Sequence, residues 1–146
     1  MHAVFVTTRR GVVIRIHPGA RLPRTFRRFC GLMGQLLQKL QIRATNGAER
    51  LLRVVKGPVG RLLPAGATRV GFSSKAEVVR MDDWVRDGVV DGPGGKGAVF
   101  VLGAFAHGAI SETTVDVRLG VSRYPLSAAC AVGRICNALE RKWDIV

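Results

Sequence analysis

Three short stretches hold the residues whose types and spacing could support chemistry: "GFSSKA" at 71–76, "GAFAHG" at 103–108 and "SRYPLS" at 122–127. Each follows an apolar run ending at Val70, Leu102 or Val121. Glycine at the exit of a strand lets the chain turn sharply and lets a ligand approach where a Cβ would stand. Pro125 fixes its own φ and holds Tyr124 extended, so "SRYPLS" is expected to be rigid and to present main-chain N–H and C=O groups. Such loops suit a small, partly apolar cofactor held by main-chain hydrogen bonds. The alternative is His107 as a catalytic base. A loop histidine capping backbone groups is the commoner arrangement, so the glycines are taken as the working parts.

Other chemistries find no support. There is no GxxxxGK[ST], and "DGPGGKG" at 91–97 lacks the strand–turn–helix order and later acid of a dinucleotide site, so it is read as a surface loop. Asp82-Asp83 is read as a helix N-cap pair, and no metal site is expected. Cys30, Cys130 and Cys136 form no CxxC and leave an odd count, which points to reduced cysteines packed as small hydrophobes.

Charge is the loudest global signal. Lys and Arg number 23 against ten Asp and Glu, for a net charge of +13. Nine of the basic residues precede the first acid, Glu49. Such a field favours a polyanion, nucleic acid first among them. An Arg-rich, acid-poor start also marks mitochondrial transit peptides, but "AVFVTT" and "GVVIRI" look like strands and not a targeting helix. The longest apolar run, 98–110, is too short and too interrupted to span a bilayer, so no membrane partner is expected.

The elements that must position these groups follow from the pattern. A length of 146 residues and an apolar share of 47% predict one domain, 1–146. Residues 3–8 and 11–16 read as strands joined by a tight turn at Arg9-Arg10-Gly11. Pro23 suits the first turn of a helix over 24–41, in which Phe26, Phe29, Cys30, Met33, Leu36, Leu37 and Leu40 share one face. Arg24, Arg27 and Arg28 fall on the other side. "ERLLRVVKG" reads as a second helical piece closed by Gly57-Pro58. "ATRVGFSS" is a strand, "MDDWV" a short helix, "AVFVLG" a fully buried strand and "DVRLGVS" a further strand. The closing helix, 125–146, is expected to bury Ala128, Ala129, Val132, Ile135, Cys136, Leu139 and Trp143. Alternating strands and helices predict an α/β sheet with ligands at the carboxyl ends of its strands.

"RLPRTFRRFCGLMGQLLQKLQIRA", "VFVLGAFAHG" and "SRYPLSAA" together closely resemble the eukaryotic small-subunit ribosomal RNA pseudouridine-N(1)-methyltransferases, of the SPOUT or α/β-knot superfamily. The resemblance covers essentially the whole chain. It implies an α/β knot: a C-terminal trefoil knot around a mainly parallel sheet, lacking the family's N-terminal portion. It also implies S-adenosylmethionine as cofactor, contacted by Gly103, Gly108, Val121, Ser122, Arg123, Tyr124, Pro125 and Leu126, with Ala76 on a looser match. The family's RNA-contacting arginines fall on Arg21, Arg24 and Arg28. The implied partners are small-subunit ribosomal RNA, the pre-ribosomal particle and a second copy of the chain. The implied place is the nucleus and nucleolus, with mitochondrion or cytoplasm as alternatives.

Two departures stand out. Arg123 occupies a position where the family usually has Asn, and the segment between Gly71 and Gly103 is longer than usual. The reaction implied is methyl transfer to N(1) of a pseudouridine, whose proton acceptor the sequence leaves unassigned. A non-catalytic RNA-binding assembly factor, or a truncated fragment of the enzyme, is the alternative.

Overall fold

A computed structural model describes residues 3–87, 97–104 and 115–145. Its contacts divide into two compact units, 1–62 and 63–146.

In the first unit β1 (Val4–Thr7) and β2 (Val13–Ile16) form the expected hairpin. Its turn closes through Gly11 N–H to the Thr8 carbonyl, 2.9 Å, with Gly11 at φ 78°. The Thr8 hydroxyl accepts from Val12 N–H at 3.1 Å. Helix α1 (Phe26–Lys39) starts after an extended Thr25, so Pro23 lies ahead of the helix and not in its first turn. It ends at Leu40, which adopts the left-handed conformation and donates its N–H to the Leu36 carbonyl. The chain then reverses into β3 (Gln41–Arg43) and β4 (Arg50–Val55). All pairings are antiparallel, in the order β1-β2-β4-β3.

Strand β4 corrects the expected helical piece at "ERLLRVVKG". The run "RLLRVV" fits either period, but β4 pairs with β2 on one side and β3 on the other. Leu52 and Val54 then reach one face with Ile14, under Leu36 of α1. Long-range pairing overrides a local pattern of this kind. The sheet face of α1 buries Leu36, with Phe29, Leu32 and Met33 half-buried. Phe26 (82% exposed), Cys30, Leu37 and Leu40 stay on the surface, so only part of the expected apolar face is used.

In the second unit β5 (Thr68–Phe72) is the centre of a parallel three-stranded sheet, flanked by β6 (Ala98–Val101) and β7 (Val117–Leu119). Parallel sheets need cover on their faces. Helices α2 (Met81–Arg86) and α3 (Ala128–Lys142) pack in one cluster with Phe72, Phe100 and Leu102. Strand β6 is half-buried along its length, not fully buried as expected.

Helix α3 is capped by Ser127, whose hydroxyl accepts from Cys130 N–H at 3.2 Å. The residues it buries are Ala131, Ile135 and Ala138. The expected face was turned by a fraction of a turn: Ala129, Val132, Cys136 and Trp143 are exposed. Small side chains let α3 approach α2 closely, while Arg141 bonds Asp82 (2.6 Å) and Lys142 Nζ donates to the Val85 carbonyl (3.0 Å). Asp82 and Asp83 therefore sit inside the first turn of α2, not at its cap, which is Arg80. All three cysteines are free and exposed, which corrects the expectation that they pack as core residues.

Candidate functional site

Strands β6, β5 and β7 run parallel, so their carboxyl ends share one edge of the sheet. Gly71 pairs with Val101, and Phe72 with Leu119. The segments leaving Phe72, Val101 and Leu119 are those singled out above. Two are joined directly. Ser73 N–H donates to the Leu119 carbonyl (3.0 Å), Gly120 N–H to the Glu77 carbonyl (2.7 Å) and Val79 N–H to the Gly120 carbonyl (2.9 Å). Residues 73–79 and 119–121 are thus one hydrogen-bonded surface.

Gly120 makes this approach possible. A Cβ there would stand 2.8 Å from the Ala76 carbonyl oxygen, closer than carbon and oxygen tolerate, and 3.2 Å from that of Glu77, a tight contact. Gly120 carries this contact, and the sequence pattern passed over it as the interior of a strand. The available signal was a glycine directly after a buried apolar run, as at Gly71 and Gly103.

Beyond Gly120 the chain is held by its own side chains. Ser122 Oγ accepts from Tyr124 N–H at 3.0 Å, and Arg134 of α3 donates to the Val121 carbonyl at 2.7 Å. Val121 packs against the same buried cluster as Phe72, Phe100 and Leu102. Arg123, Tyr124 and Pro125 are exposed, Tyr124 to 77%, while Ser122 and Leu126 are half-buried. Ala76 lies at the joined surface, half-buried, and Gly103 is exposed two residues past β6. Gly108 and His107 lie outside the described residues, as do all of 105–114. Arg134 had no signal in the sequence, because its target is a main-chain atom thirteen residues away.

The second set of candidates belongs to the other unit. Arg21, Arg24 and Arg28 are all exposed, Arg28 on α1 and the others just before it. Among the described residues no carboxylate pairs with them. Residues 1–62 hold thirteen Lys and Arg and one acid, Glu49, and that acid already bridges His17 Nε2 at 3.2 Å. Among the described residues no three His, Cys, Asp or Glu side chains gather as a metal site would need, and no helix is long and apolar enough to cross a membrane.

A parallel α/β sheet with glycine-shaped, mutually bonded loops at its carboxyl edge is the arrangement at which open α/β sheets hold their ligands. Residues 1–140 match the EMG1/NEP1 methyltransferase family, and the chain belongs to that family. It is 43% identical over 143 residues to the human ribosomal RNA small subunit methyltransferase NEP1, covering 98% of this chain and 56% of that protein. The Drosophila melanogaster protein of the same name is 41% identical, covering 98% and 58%. Nep1 of Thermococcus kodakarensis is 31% identical, covering 94% and 60%. The chain therefore spans a little over half the length of these relatives.

A crystal structure of Archaeoglobus fulgidus Nep1 bound to S-adenosylhomocysteine superposes with a TM-score of 0.76 at 24% identity, over 95% of this chain and 61% of that one. The α/β class expected from the resemblance is the class of this chain.

Proposed function

We propose that this chain binds S-adenosylmethionine at the carboxyl edge of the β6-β5-β7 sheet and belongs to an enzyme that methylates N(1) of a pseudouridine in small-subunit ribosomal RNA. The observation that carries the reading is the contact of Gly120 with the Ala76 carbonyl, inside a hydrogen-bonded surface made of two of the three loops. Atoms available there are main-chain N–H and C=O groups, at the end of a sheet whose Phe72, Phe100, Leu102 and Val121 pack into one apolar cluster, which suits an adenosine bearing an amino-acid tail. Ala76, Gly103, Gly108 and residues 121–126 are the proposed contacts.

When bound, S-adenosylmethionine supplies an electrophilic methyl group on a sulfonium. The residues of this chain supply position. Arg134 fixes the Val121 carbonyl, and Ser122 fixes the turn that leads to Tyr124. Alignment of this kind contributes to the rate by making the encounter effectively intramolecular. Arg123 adds a positive charge where the family usually has Asn, a charge that would favour an electron-rich carbonyl oxygen of the RNA base. Arg21, Arg24 and Arg28 grip phosphates around a base unstacked from its neighbours.

The working unit proposed is a homodimer acting on the pre-ribosomal particle in the nucleolus. Calorimetry with S-adenosylhomocysteine tests the site: saturable heat is expected, and folded protein giving none at millimolar ligand rejects it.

The concentration of cationic charge in residues 1–62 favours a second reading, an RNA-binding relative without catalysis. RNA binding retained with no heat from S-adenosylhomocysteine selects that reading.

A further inference from the structure

The four-stranded sheet carries a cationic feature for which Arg21, Arg24 and Arg28 do not account. Arg15 of β2 stands directly opposite Arg53 of β4, and Arg43 of β3 opposite Arg50 of β4. Like charges placed opposite one another across a ladder are unfavourable. Among the described residues no ion pair relieves any of the four, and the unit's single carboxylate is engaged by His17. Arg15, Arg43 and Arg50 are exposed and Arg53 half-buried.

The placement is orderly. Ile14 and Leu52 face the core beneath α1, so the alternation of side chains turns Arg15 and Arg53 to the opposite face. On that face the register runs across all four strands as Phe5, Arg15, Arg53 and Gln41. Gln41 also lines a hollow of about 290 Å³ with Gln35, Lys39, Ile42 and Arg43. An aromatic ring and two opposed arginines therefore share one face, and Gln41 at the β3 edge joins that row to a hollow on the α1 side, which holds two amides and two further cations.

We propose that this row is a second RNA-binding track, separate from the arginines at the start of α1, with a phosphodiester held between Arg15 and Arg53 and a nucleotide edge in the hollow. An anion between the two guanidiniums turns a repulsion into a bridge, and each planar fork matches phosphate oxygens. Phe5 offers a stacking surface, and Gln35 and Gln41 offer donors and acceptors to a base or a ribose hydroxyl. An acidic polypeptide would use the cations alone, so the ring and the amides favour RNA. The proposal rests on RNA being a ligand of this chain.

The test is binding of a fluorescent RNA hairpin with a uridine-rich loop as a function of salt. Removing both arginines from that one phosphate in the Arg15→Gln/Arg53→Gln double variant is expected to flatten the log–log slope by about 0.7, the value for one phosphate on a single strand. The unfolding midpoint is expected not to fall. If Arg24→Gln flattens the slope and the double variant does not, the second track is overturned and RNA binding stands. If wild-type protein does not bind the hairpin, the reading beneath it fails.

Should the double variant not fold, wild-type protein answers by arginine modification with phenylglyoxal, read by mass spectrometry. Saturating RNA is expected to shield Arg15, Arg43, Arg50 and Arg53. Modification at an unchanged rate overturns the track, and shielding by polyglutamate but not by RNA assigns the face to an acidic protein instead.

Discussion

Residues 1–62 carry thirteen Lys and Arg against one acid, whereas residues 63–146 carry ten against nine. The same residue types do different work in the two units. In the second, arginines are matched to carboxylates: Arg69 to Asp116, Arg141 to Asp82, and Arg80 and Arg86 to Asp83. Its candidate ligand surface is made of main-chain atoms and one glycine contact. In the first unit the arginines are set facing one another or along α1, with almost nothing of opposite sign to meet them. On the proposed reading one unit recognises by shape at close range and the other by field at long range, and substitution and salt separate the two.

The largest effect is expected from Gly120. In Gly120→Val the added carbons meet the Ala76 and Glu77 carbonyls, which are backbone and cannot step aside. Overpacking of this kind costs about 1–3 kcal/mol, with the upper end expected because both neighbours are fixed. Urea unfolding should show that loss, and calorimetry should show no heat from S-adenosylhomocysteine. Gly133→Ala is the control. It lies in α3 with nothing within 4 Å of the new Cβ, so it should gain about 1 kcal/mol from helix propensity alone. Equal effects of the two substitutions would mean that the loop surface is not built on close approach.

Salt gives the next contrast. Three arginine–phosphate contacts at Arg21, Arg24 and Arg28 imply a log–log slope of roughly −2 on a single strand, so a fourfold rise in salt should weaken RNA binding roughly twentyfold. Binding of S-adenosylhomocysteine, held by main-chain atoms, should hardly move. Arg24→Ala should flatten the RNA slope by about 0.7 and leave the cofactor affinity alone. Equal salt sensitivity of both ligands would erase the division between the units.

Much of this was legible in the sequence, for reasons particular residues show. The hairpin declared itself because Val- and Ile-rich runs flank Gly11, β5 and β6 because apolar runs end at glycine-bearing loops, and β7 because its run ends at the Pro125 loop. Strand β4 was hidden because "RLLRVV" satisfies two periods and only its partners β2 and β3 decide between them. The face of α3 was hidden because neighbouring stripes of the helix are similarly apolar, and only packing against α2 selects the one that carries Ile135 and Ala138. The facing arginines could not be read at all. Arg15 and Arg53 are far apart in sequence, and register is a property of the folded sheet. Of the candidate site, two loops were legible as glycine-bearing strand exits and the third by Pro125, while Gly120 and Arg134 emerged only when the loops were seen in contact.

The smallest expected effect concerns a carboxylate that the second unit spends on structure. Asp116 accepts from Arg69 three times, at the backbone N–H (2.8 Å), at Nε (3.1 Å) and at the terminal guanidinium nitrogen (2.6 Å). These bonds, the side-chain one foremost, hold its carboxyl below the usual carboxylate range. A carboxyl depressed in the folded state contributes stability above the pKa of the unfolded chain and loses it as the pH falls through the folded value. Asp116→Asn should therefore lower the unfolding midpoint slightly at neutral pH, and the deficit should close in strong acid. The pair is solvent-exposed, so the effect is small and shrinks with salt. It also lies where β5 and β7 begin, at the end of the sheet away from the loops, so S-adenosylhomocysteine binding should be unchanged. A deficit that persisted undiminished in acid would show that Asp116 acts through the shape of the turn and not through its charge. A change in cofactor affinity would show that the second unit recognises by charge after all.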